Sequence, residues 1–556
     1  MPDSSPSRAG RTAGSSGDPG DVPAPATTSI EKEALNPASG VFRFARNRPD
    51  SVALVVDDRR HSYADLALAA ARVAAWLRGR VRAEDGPPRI GVLASRSFET
   101  YAGILGSAWA GFTHVPLNPR QPSSRLASIL DQARLSALVV DERGAMHLTH
   151  DAVRERLPGQ VLAPDGLDTA GATKWRDLPA VDVVPAPAVV SSDHPAYVIF
   201  TSGTTGVPKG VTVTTGNLAH FLHNIRAMYG IGPDDRVGQF CEPSFDLSVF
   251  EIFAAWDGGA SLHVVPESSL ISPAGYIRRE ELTVWASVPS VIMVLSRMKM
   301  LAPGLFPSLR ASVFIGEALL VESAKAWAEA APNSVVDNHY GPTEATVACT
   351  VQRVTDPVVE TPGRGTVAIG IPYDGMEVDI VGADGRFLEV GETGELALHG
   401  PQVADGYLGD PELTARRFPT LDHPRLGSTR WYLSGDLGFR DDAGVLHCLG
   451  RLDHQVKILG HRVELEDLEA HLRGASGSDE VAAVAWPLRG ATASGIVAFV
   501  CRASATTAEI RERLKEVLPH YMVPRRVIEV EALPLSTNGK VDRKALLAML
   551  EEGGVA

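Results

Sequence analysis

The sequence predicts an α/β protein with two domains, a large N-terminal domain of layered sheets and helices and a small α+β C-terminal domain. Its 556 residues exceed what a single hydrophobic core normally holds. Up to about residue 450, apolar runs of strand length alternate with segments of helical spacing, which is typical of α/β layers. Residues 450–460, dense in charge and glycine, then precede about one hundred residues of mixed helices and strands.

The individual elements follow from composition and periodicity along the chain. Residues 1–35 are rich in Pro, Ser, Gly, Ala and Asp, which predicts a disordered tail. Residues 63–77 have the apolar spacing of a helix, and buried strands are predicted at residues 90–94, 137–140, 196–200 and 312–315. In the C-terminal part, we predict helices at residues 465–472 and 508–518 and strands at residues 481–485 and 495–500.

The overall composition narrows the class of partner and the compartment. The net charge of −14 disfavours nucleic acid, because its phosphates need basic surfaces. No apolar run is long enough to cross a bilayer and the N-terminus lacks a secretory pattern, so no membrane partner is expected. The four cysteines are far apart, which indicates a reducing compartment and a cytoplasmic protein.

One loop carries the clearest chemical signal. The predicted strand at residues 196–200 leads directly into six hydroxyl and glycine residues, and Lys209 closes the loop. Hydroxyls, glycine N–H groups and an ammonium suit a polyphosphate, although the spacing differs from the Walker A pattern. A flexible turn is the alternative for the loop taken alone. The six residues are Thr201, Ser202, Gly203, Thr204, Thr205 and Gly206.

Four further motifs follow in order: Asn338-His-Tyr-Gly-Pro-Thr-Glu344, Tyr432-Leu-Ser-Gly-Asp-Leu437, Gly450-Arg-Leu-Asp-His-Gln-Val-Lys-Ile-Leu-Gly460 and Pro534-Leu-Ser-Thr-Asn-Gly-Lys540. With the loop, they resemble the core motifs of the adenylate-forming superfamily, and within it the adenylation domains of nonribosomal peptide synthetases. The resemblance covers residues 36 to about 550. It implies an adenylation core at residues 36–452, a mobile C-terminal lid at residues 453–556 with Asp453 as the hinge, and the use of ATP and Mg²⁺.

The resemblance also implies roles for residues of these motifs. The loop from Thr201 to Lys209 would hold the β- and γ-phosphates, Thr343 would bond the α-phosphate, and Glu344 would bind Mg²⁺. Taken alone, each motif also fits a turn, a helix cap or a solvated surface charge. The remaining roles are adenine contacts for Asn338 and Tyr340, an ATP contact for Gly341, ribose contacts for Asp436 and Arg451, and a catalytic ammonium for Lys540.

The substrate class depends on Asp246. In amino-acid-activating relatives, an aspartate at this position pairs with the α-ammonium group of the substrate. The alternative role for Asp246 is that of a helix N-cap residue. The corresponding pocket is mainly apolar, with Ile315 narrowing its floor and His339 as the one polar group, suited to a hydroxyl. We therefore expect a small or compact apolar substrate, such as alanine or a proline-like ring. The pocket positions are Leu247, Phe250, Ala286, Val313, Ile315, His339, Val347 and Ala348.

The expected activity is that of a stand-alone amino-acid adenylating enzyme of natural-product biosynthesis. The chain ends soon after Lys540 without a carrier segment, so the acceptor is expected to be the phosphopantetheine thiol of a separate carrier protein. Two positions depart from the family pattern, Val288 for a proline and Leu459 for an arginine, and Leu459 lies where relatives contact the carrier arm. The alternatives are an acyl-CoA ligase of the same superfamily and a catalytically silent nucleotide-binding scaffold.

Overall fold

The computed structural model describes residues 35–82, 86–166, 171–202, 207–452, 455–458, 460–489, 492–534 and 541–552. All of them belong to one compact unit of the chain, Lys32–Ala556. The predicted tail up to residue 34 lies outside the described residues. So do the predicted positions Gly203, Thr204, Thr205, Gly206, Asp453, Leu459 and Lys540.

The first large sheet has nine strands, and the six in its middle pair in parallel. Parallel neighbours need crossover connections, and the carboxyl ends of such strands meet at one edge of the sheet, where α/β proteins bind ligands. The loops that begin at residues 240, 288, 315 and 341 therefore gather at one edge. In sheet order, the strands are Ile371–Pro372, Thr350–Arg353, Val335–Tyr340, Ala311–Phe314, Val284–Ser287, Arg236–Gln239, Ser261–Val264, Val52–Val56 and Arg59–Ser62.

The second large sheet has eight strands, and it presents the predicted phosphate loop. A hairpin joins its strands Pro195–Thr201 and Lys209–Thr214, with Thr201 opposite Lys209. Thr201 and Lys209, both predicted phosphate contacts, are therefore cross-strand neighbours at the end of the hairpin next to the connecting residues 202–208. In sheet order, the strands are Gly406–Tyr407, Lys209–Thr214, Pro195–Thr201, Thr113–Leu117, Arg89–Leu93, Ala137–Val140, Val161–Ala163 and Thr173–Lys174.

A third, antiparallel sheet completes the N-terminal part. Its four strands are Glu377–Val381, Gly394–His399, Tyr432–Arg440 and Leu446–Arg451, and the last two place Asp436 opposite Arg451. Two small antiparallel pairs accompany it, Glu360–Thr361 with Thr366–Val367 and Thr420–His423 with Gly427–Arg430.

The C-terminal part is an α+β unit of two small sheets and three helices. One sheet contains His461–Glu464, Gln455–Ile458, Thr492–Ala493 and Leu488–Arg489, and the other contains Val481–Ala485, Ile496–Cys501 and Arg526–Val530. Its apolar clusters, around Val463, Leu468 and Ile510, are separate from those of the large sheets. Separate cores agree with the predicted lid domain, whose boundary at residue 453 stays a prediction.

The helices begin at local sequence signals. Four of them begin with a capping box, in which the side chain of an N-cap Ser or Thr accepts from the backbone N–H of the third helical residue, and the side chain of that residue accepts from the N-cap N–H. These bonds satisfy donors that the first helical turn leaves unpaired. Short 3₁₀ turns lie at His147–Thr149, Trp175–Asp177, Glu267–Ser269 and Thr343–Ala345, and a π-helical turn lies at Phe250–Ala254. The α-helices are Ser39–Asn47, Tyr63–Arg80, Phe98–Ala110, Ser123–Ala133, Glu142–Met146, Asp151–Arg154, Thr215–Tyr229, Leu247–Val249, Ala255–Gly258, Ala274–Arg279, Ser290–Arg297, Val321–Ala330, Pro411–Arg417, Leu465–Ser476, Thr507–Val517 and Arg543–Glu552.

The predicted fold class is confirmed, and every strand and helix predicted above overlaps an observed one. The main apolar cluster joins the two large sheets and buries Trp76, Trp109 and Trp256 completely or almost so. None of the helices in the described ranges is both long enough and apolar enough to span a bilayer.

Candidate functional site

A cavity of about 460 Å³ opens where the parallel strands of the nine-stranded sheet end. Its lining comes from all three N-terminal sheets and from the C-terminal part. Residues that are far apart in sequence are thus brought together, among them Thr201, Ser202, Asp246, Thr343, Asp436, Arg451 and Arg462.

The predicted ribose and adenine contacts form one hydrogen-bonded group. The Tyr340 hydroxyl donates to Asp436 Oδ2 at 2.6 Å, and Arg451 Nη1 donates to Asp436 Oδ1 at 2.8 Å. Burial and the adjacent carboxylate raise the pKa of Tyr340, so the phenol stays protonated and donates. The structure therefore brings these three residues together, as their predicted roles require.

Asn338 has an unused acceptor beside this group. Its amide nitrogen donates to Ala368 O at 2.8 Å, which orients the side chain. Its Oδ1 is buried and accepts no hydrogen bond from any described residue. A buried acceptor of this kind normally has a partner, and the amino group of adenine supplies such a donor. The residues present therefore fit an adenine nucleotide.

Glu344 lies at the centre of a buried charge cluster. Both of its carboxylate oxygens accept from Arg462 Nη1, at 2.9 and 3.2 Å, and Oε1 also accepts from the Tyr407 hydroxyl at 2.7 Å. Lys209 Nζ is 3.9 Å from Oε1 and lies over the Tyr407 ring. Burial alone would raise the pKa of Glu344, but Arg462 and Lys209 hold it at about 2. Glu344 is therefore ionised throughout the physiological range.

The cluster carries more positive than negative charge. Burial lowers the pKa of Lys209 to about 8, and the nearby Arg462 adds to that effect. Two cations thus face one carboxylate, which is an environment suited to phosphate oxygens. Arg462 and Tyr407 were not predicted. The signal for Arg462 was its place two residues after the Gly450–Gly460 motif, whereas nothing local marks Tyr407.

Glu344 also fits Mg²⁺, with one condition. Mg²⁺ usually takes one or two carboxylates and completes its shell with water and phosphate oxygens. Within the described part of the chain, no three His, Cys, Asp or Glu side chains gather as a metal site. Arg462 and Tyr407 donate three hydrogen bonds to the Glu344 oxygens here, so Mg²⁺ would compete with the Arg462 guanidinium for this carboxylate.

The C-terminal part is anchored to the cavity by several contacts besides Arg462. Ser202 Oγ donates to the Arg462 carbonyl at 2.8 Å, and the Gly460 N–H donates to Glu317 at 2.5 Å. Farther out, Arg125 and Asp467 form a buried ion pair at 3.3 Å. Ser202 thus contacts the C-terminal part rather than standing free to meet a phosphate in this arrangement.

Asp246 is half-buried at the start of the Leu247–Val249 helix. Its side chain makes no N-cap hydrogen bond, so the alternative of a helix cap is not what the structure shows. Instead, Oδ2 accepts from the Thr343 hydroxyl at 2.6 Å. Burial raises the pKa of Asp246, and the Thr343 hydroxyl and the charge of Lys457 oppose this shift only in part. None of the described residues forms an ion pair with this carboxylate. An ammonium group would supply the missing charge.

The loop after Glu344 is strained where it meets the cavity. Thr346 and Val347 have φ values of 57° and 71°, which are unfavourable for β-branched residues. Buried Gln402 holds this conformation, since its side-chain Nε2 donates to Ala348 O at 2.6 Å and its backbone carbonyl oxygen accepts from Thr346 Oγ1 at 2.7 Å. Gly341 packs so closely here that a Cβ would lie 2.5 Å from the Ala348 Cα.

Only part of the predicted substrate pocket borders the cavity. Leu247, Ile315 and Val347 line it. The other five positions are buried and are not among its lining residues. Both His339 ring nitrogens are already bonded to tyrosines, so the expected hydrogen bond from His339 to a substrate hydroxyl is wrong for this arrangement. The five are Phe250, Ala286, Val313, His339 and Ala348.

Comparison with known proteins agrees with these contacts. Residues 41–408 match the AMP-binding enzyme family, and residues 467–540 match the AMP-binding enzyme C-terminal domain. Delta-poly-L-ornithine synthetase of Acinetobacter baumannii (strain AB307-0294) is 32% identical over 520 residues, which are 91% of this chain and 36% of that protein. Tyrocidine synthase 2 of Brevibacillus parabrevis is 33% identical over 509 residues, covering 90% of this chain and 13% of that protein. The chain thus spans less than half the length of either relative.

Solved structures show the same likeness. The adenylation domain AlmE of Vibrio cholerae, in complex with glycyl-adenosine-5'-phosphate, matches with a TM-score of 0.81 at 31% identity over 93% of this chain and 98% of AlmE. IdnL7 matches with a TM-score of 0.68 at 32% identity over 94% of this chain and 99% of IdnL7. The chain therefore belongs to the AMP-binding enzyme family, as an adenylate-forming domain of the nonribosomal peptide synthetase type.

Proposed function

We propose that this chain uses ATP and Mg²⁺ to activate a small or compact apolar amino acid as its aminoacyl-adenylate, and then transfers it to the phosphopantetheine thiol of a carrier protein. The observation that carries the proposal is the placement of Asp246. Its carboxylate forms no ion pair with a described residue, lines the same cavity as Thr343 of the nucleotide motif, and accepts a hydrogen bond from Thr343 at 2.6 Å. An amino acid whose ammonium group is bound there would present its carboxylate to the nucleotide.

In the first step, the amino-acid carboxylate attacks the α-phosphorus of ATP, and pyrophosphate leaves. Asp246 binds the ammonium, Tyr340 and Asn338 hold adenine, and the Asp436–Arg451 pair holds the ribose. Lys209 and the residues of the 201–209 loop bind the outer phosphates, while Lys540 neutralises charge between carboxylate and phosphate. Bound at Glu344, Mg²⁺ supplies further neutralisation of phosphate charge. The enzyme thus acts mainly by alignment and electrostatics.

In the second step, the carrier thiolate attacks the aminoacyl carbonyl, and AMP leaves. We include in the proposal that residues 453–556 form a lid that turns at Asp453 between the steps. The Arg462–Glu344 pair supports this, because the Arg462 guanidinium competes with Mg²⁺ for the same carboxylate. The glycyl-adenosine-5'-phosphate bound to AlmE is an aminoacyl-adenylate, which agrees with the proposed intermediate.

Amino-acid-dependent exchange of labelled pyrophosphate into ATP tests the first step. Asp246→Ala should reduce kcat/KM for the preferred amino acid by two orders of magnitude or more, since breaking a buried ion pair costs about 3–5 kcal/mol. ATP binding should change little. The control is Asp384→Ala, which removes an exposed carboxylate paired only to neighbouring Arg386.

The acceptor is tested by offering CoA and a phosphopantetheinylated carrier protein to the same preparation. Loading of the carrier supports the proposal, whereas transfer to CoA alone would establish an acyl-CoA ligase. Exchange that is unchanged in Asp246→Ala would contradict the amino-acid site. Nucleotide binding without any exchange would indicate a silent scaffold.

A further inference from the structure

A chain of five side chains runs behind the proposed substrate pocket. Arg353 donates twice to Asp337, at 2.9 Å for each bond. The Tyr229 hydroxyl lies 2.8 Å from Asp337 Oδ2 and 2.6 Å from His339 Nε2, and the Tyr373 hydroxyl bonds His339 Nδ1. Except for Arg353, all are at least nine-tenths buried. Both His339 ring nitrogens and the Tyr229 hydroxyl are thus already bonded within this chain.

The direction of each hydrogen bond in this chain can be assigned. Asp337 bonds Arg353 as a carboxylate and can only accept, so the single Tyr229 hydrogen points to it. The Tyr229 oxygen must therefore accept from His339 Nε2–H. Burial lowers the pKa of His339 to about 4, so the ring is neutral and its Nδ1 accepts from Tyr373. The imidazole is thus held at both nitrogens and cannot turn without losing a bond.

This chain lies on the same sheet face as the pocket floor. Val313 is the cross-strand neighbour of both Ala286 and Asp337. His339 follows Asp337 by two residues in its strand, and Ile315 follows Val313 by two residues, just past its strand, where its N–H still bonds Ser287 O. All four side chains therefore project from one face. Ile315 lines the cavity, whereas Val313 and His339 are buried and do not. The cavity therefore stops at Ile315, in front of this chain.

The helix that follows Asp246 closes the same space from the other side. Leu247 lines the cavity, and Phe250, three residues on, is fully buried. The Phe250 ring packs edge-on against Tyr229 at 6.5 Å, and Phe221 packs against both Phe250 and Tyr373. The space beyond Leu247 and Ile315 is therefore filled by aromatic rings that a rigid hydrogen-bonded chain holds in place.

We propose that the chain Arg353–Asp337–Tyr229–His339–Tyr373 is a fixed wall that ends the substrate pocket and restricts activation to amino acids with a hydrogen or methyl side chain, glycine and alanine. This rests on the proposed amino-acid activation. Ile315 borders the cavity, and the His339 ring fills the space beside it on the neighbouring strand. Tyr229 and Tyr373 are positioning residues that set specificity by holding this ring. No residue of the wall pairs with the substrate ammonium.

The test is pyrophosphate exchange of the full chain with glycine, alanine, valine, leucine and phenylalanine. In the wild type, glycine and alanine should give the highest kcat/KM, with discrimination of about 10- to 200-fold for each methylene added beyond alanine. His339→Ala should raise kcat/KM for leucine or phenylalanine relative to alanine by at least about tenfold, since it opens the space of one ring. Tyr229→Phe and Tyr373→Phe keep the volume and release one ring nitrogen each, and both should raise the leucine-to-alanine ratio.

Tyr63→Phe is the matched control. It removes an equally buried tyrosine hydroxyl, bonded to Ala260 O at 2.7 Å in another part of the core. This variant should keep the wild-type ratio, so a change confined to Tyr229 and Tyr373 cannot come from general destabilisation. If His339→Ala does not fold, the two conservative tyrosine variants decide the matter.

The outcomes separate this inference from the proposed function. A wild type that prefers leucine or phenylalanine would contradict the proposed role of the wall and would leave the proposal of amino-acid activation intact. Variants that all keep the wild-type ranking also overturn it. No exchange with any amino acid, in folded protein that binds ATP, overturns the proposed function and the wall together.

Discussion

Removing the Arg462 guanidinium should separate the two half-reactions of this enzyme. Arg462 bonds both oxygens of Glu344, whose side chain is completely buried. The same carboxylate is the proposed Mg²⁺ ligand. The docked position of the C-terminal part and the binding of Mg²⁺ at Glu344 therefore compete, and Arg462→Ala should favour the binding of Mg²⁺.

The structure sets the size of the effect. Loss of one partner from a buried ion pair costs about 3–5 kcal/mol. Lys209 remains 3.9 Å from Glu344 as a second cation, so the lower value applies. About 3 kcal/mol corresponds to a roughly 100-fold loss of the docked arrangement relative to the undocked one. Pyrophosphate exchange should persist, with half-maximal activity at a lower Mg²⁺ concentration, while carrier loading should fall steeply.

Both assays are run on one preparation, with Mg²⁺ titrated in the exchange reaction. Arg543→Ala is the control, because Arg543 pairs with Glu469 at 2.7 Å inside the C-terminal part. It should leave the Mg²⁺ dependence of exchange unchanged. An Arg462→Ala enzyme with wild-type Mg²⁺ dependence and wild-type carrier loading would refute the reasoning.

Three further outcomes are expected. Burial raises the pKa of Asp246, and only the ionised carboxylate binds an ammonium, so affinity is present above that pKa and lost below it. The amino-acid KM of the wild type should therefore begin to rise at a higher pH than an ordinary aspartate would give, and a KM that stays flat down to the ordinary aspartate range, about pH 4, would contradict this. Tyr340→Phe removes the 2.6 Å hydrogen bond to Asp436 but keeps the ring. Because hydrogen bonds to charged groups contribute about 1.5–3 kcal/mol, the KM for ATP should rise about tenfold. An unchanged KM would mean that this hydrogen bond does not orient Asp436. Lys540→Ala should reduce exchange by orders of magnitude and spare transfer from preformed aminoacyl-adenylate, and equal losses in both steps would contradict its assignment to adenylation alone.

Local sequence was sufficient to predict the secondary structure and to identify one residue of each contact in the site. Apolar runs such as residues 137–140 became the buried strand Ala137–Val140, because period and flanking turns decide such elements locally. The resemblance placed Tyr340, Asp436 and Arg451 in one nucleotide site, and the structure brings them within hydrogen-bond distance. The resemblance did not reveal that the Asp436 carboxylate already accepts hydrogen bonds from Tyr340 and Arg451.

The sequence by itself determined the family, the α/β architecture and the chemical types gathered at the site, since each is encoded in short contiguous motifs. Tertiary structure alone decided which partners those groups meet. Arg462 reaches Glu344 across 118 residues, and Tyr229 reaches His339 across 110, so no local pattern marks either pair. Whether a buried polar group is free for a ligand or already bonded depends on such distant donors, because burial leaves few of them unpaired. For this reason His339 looked free for a substrate in the sequence, and in the folded chain it is part of a wall.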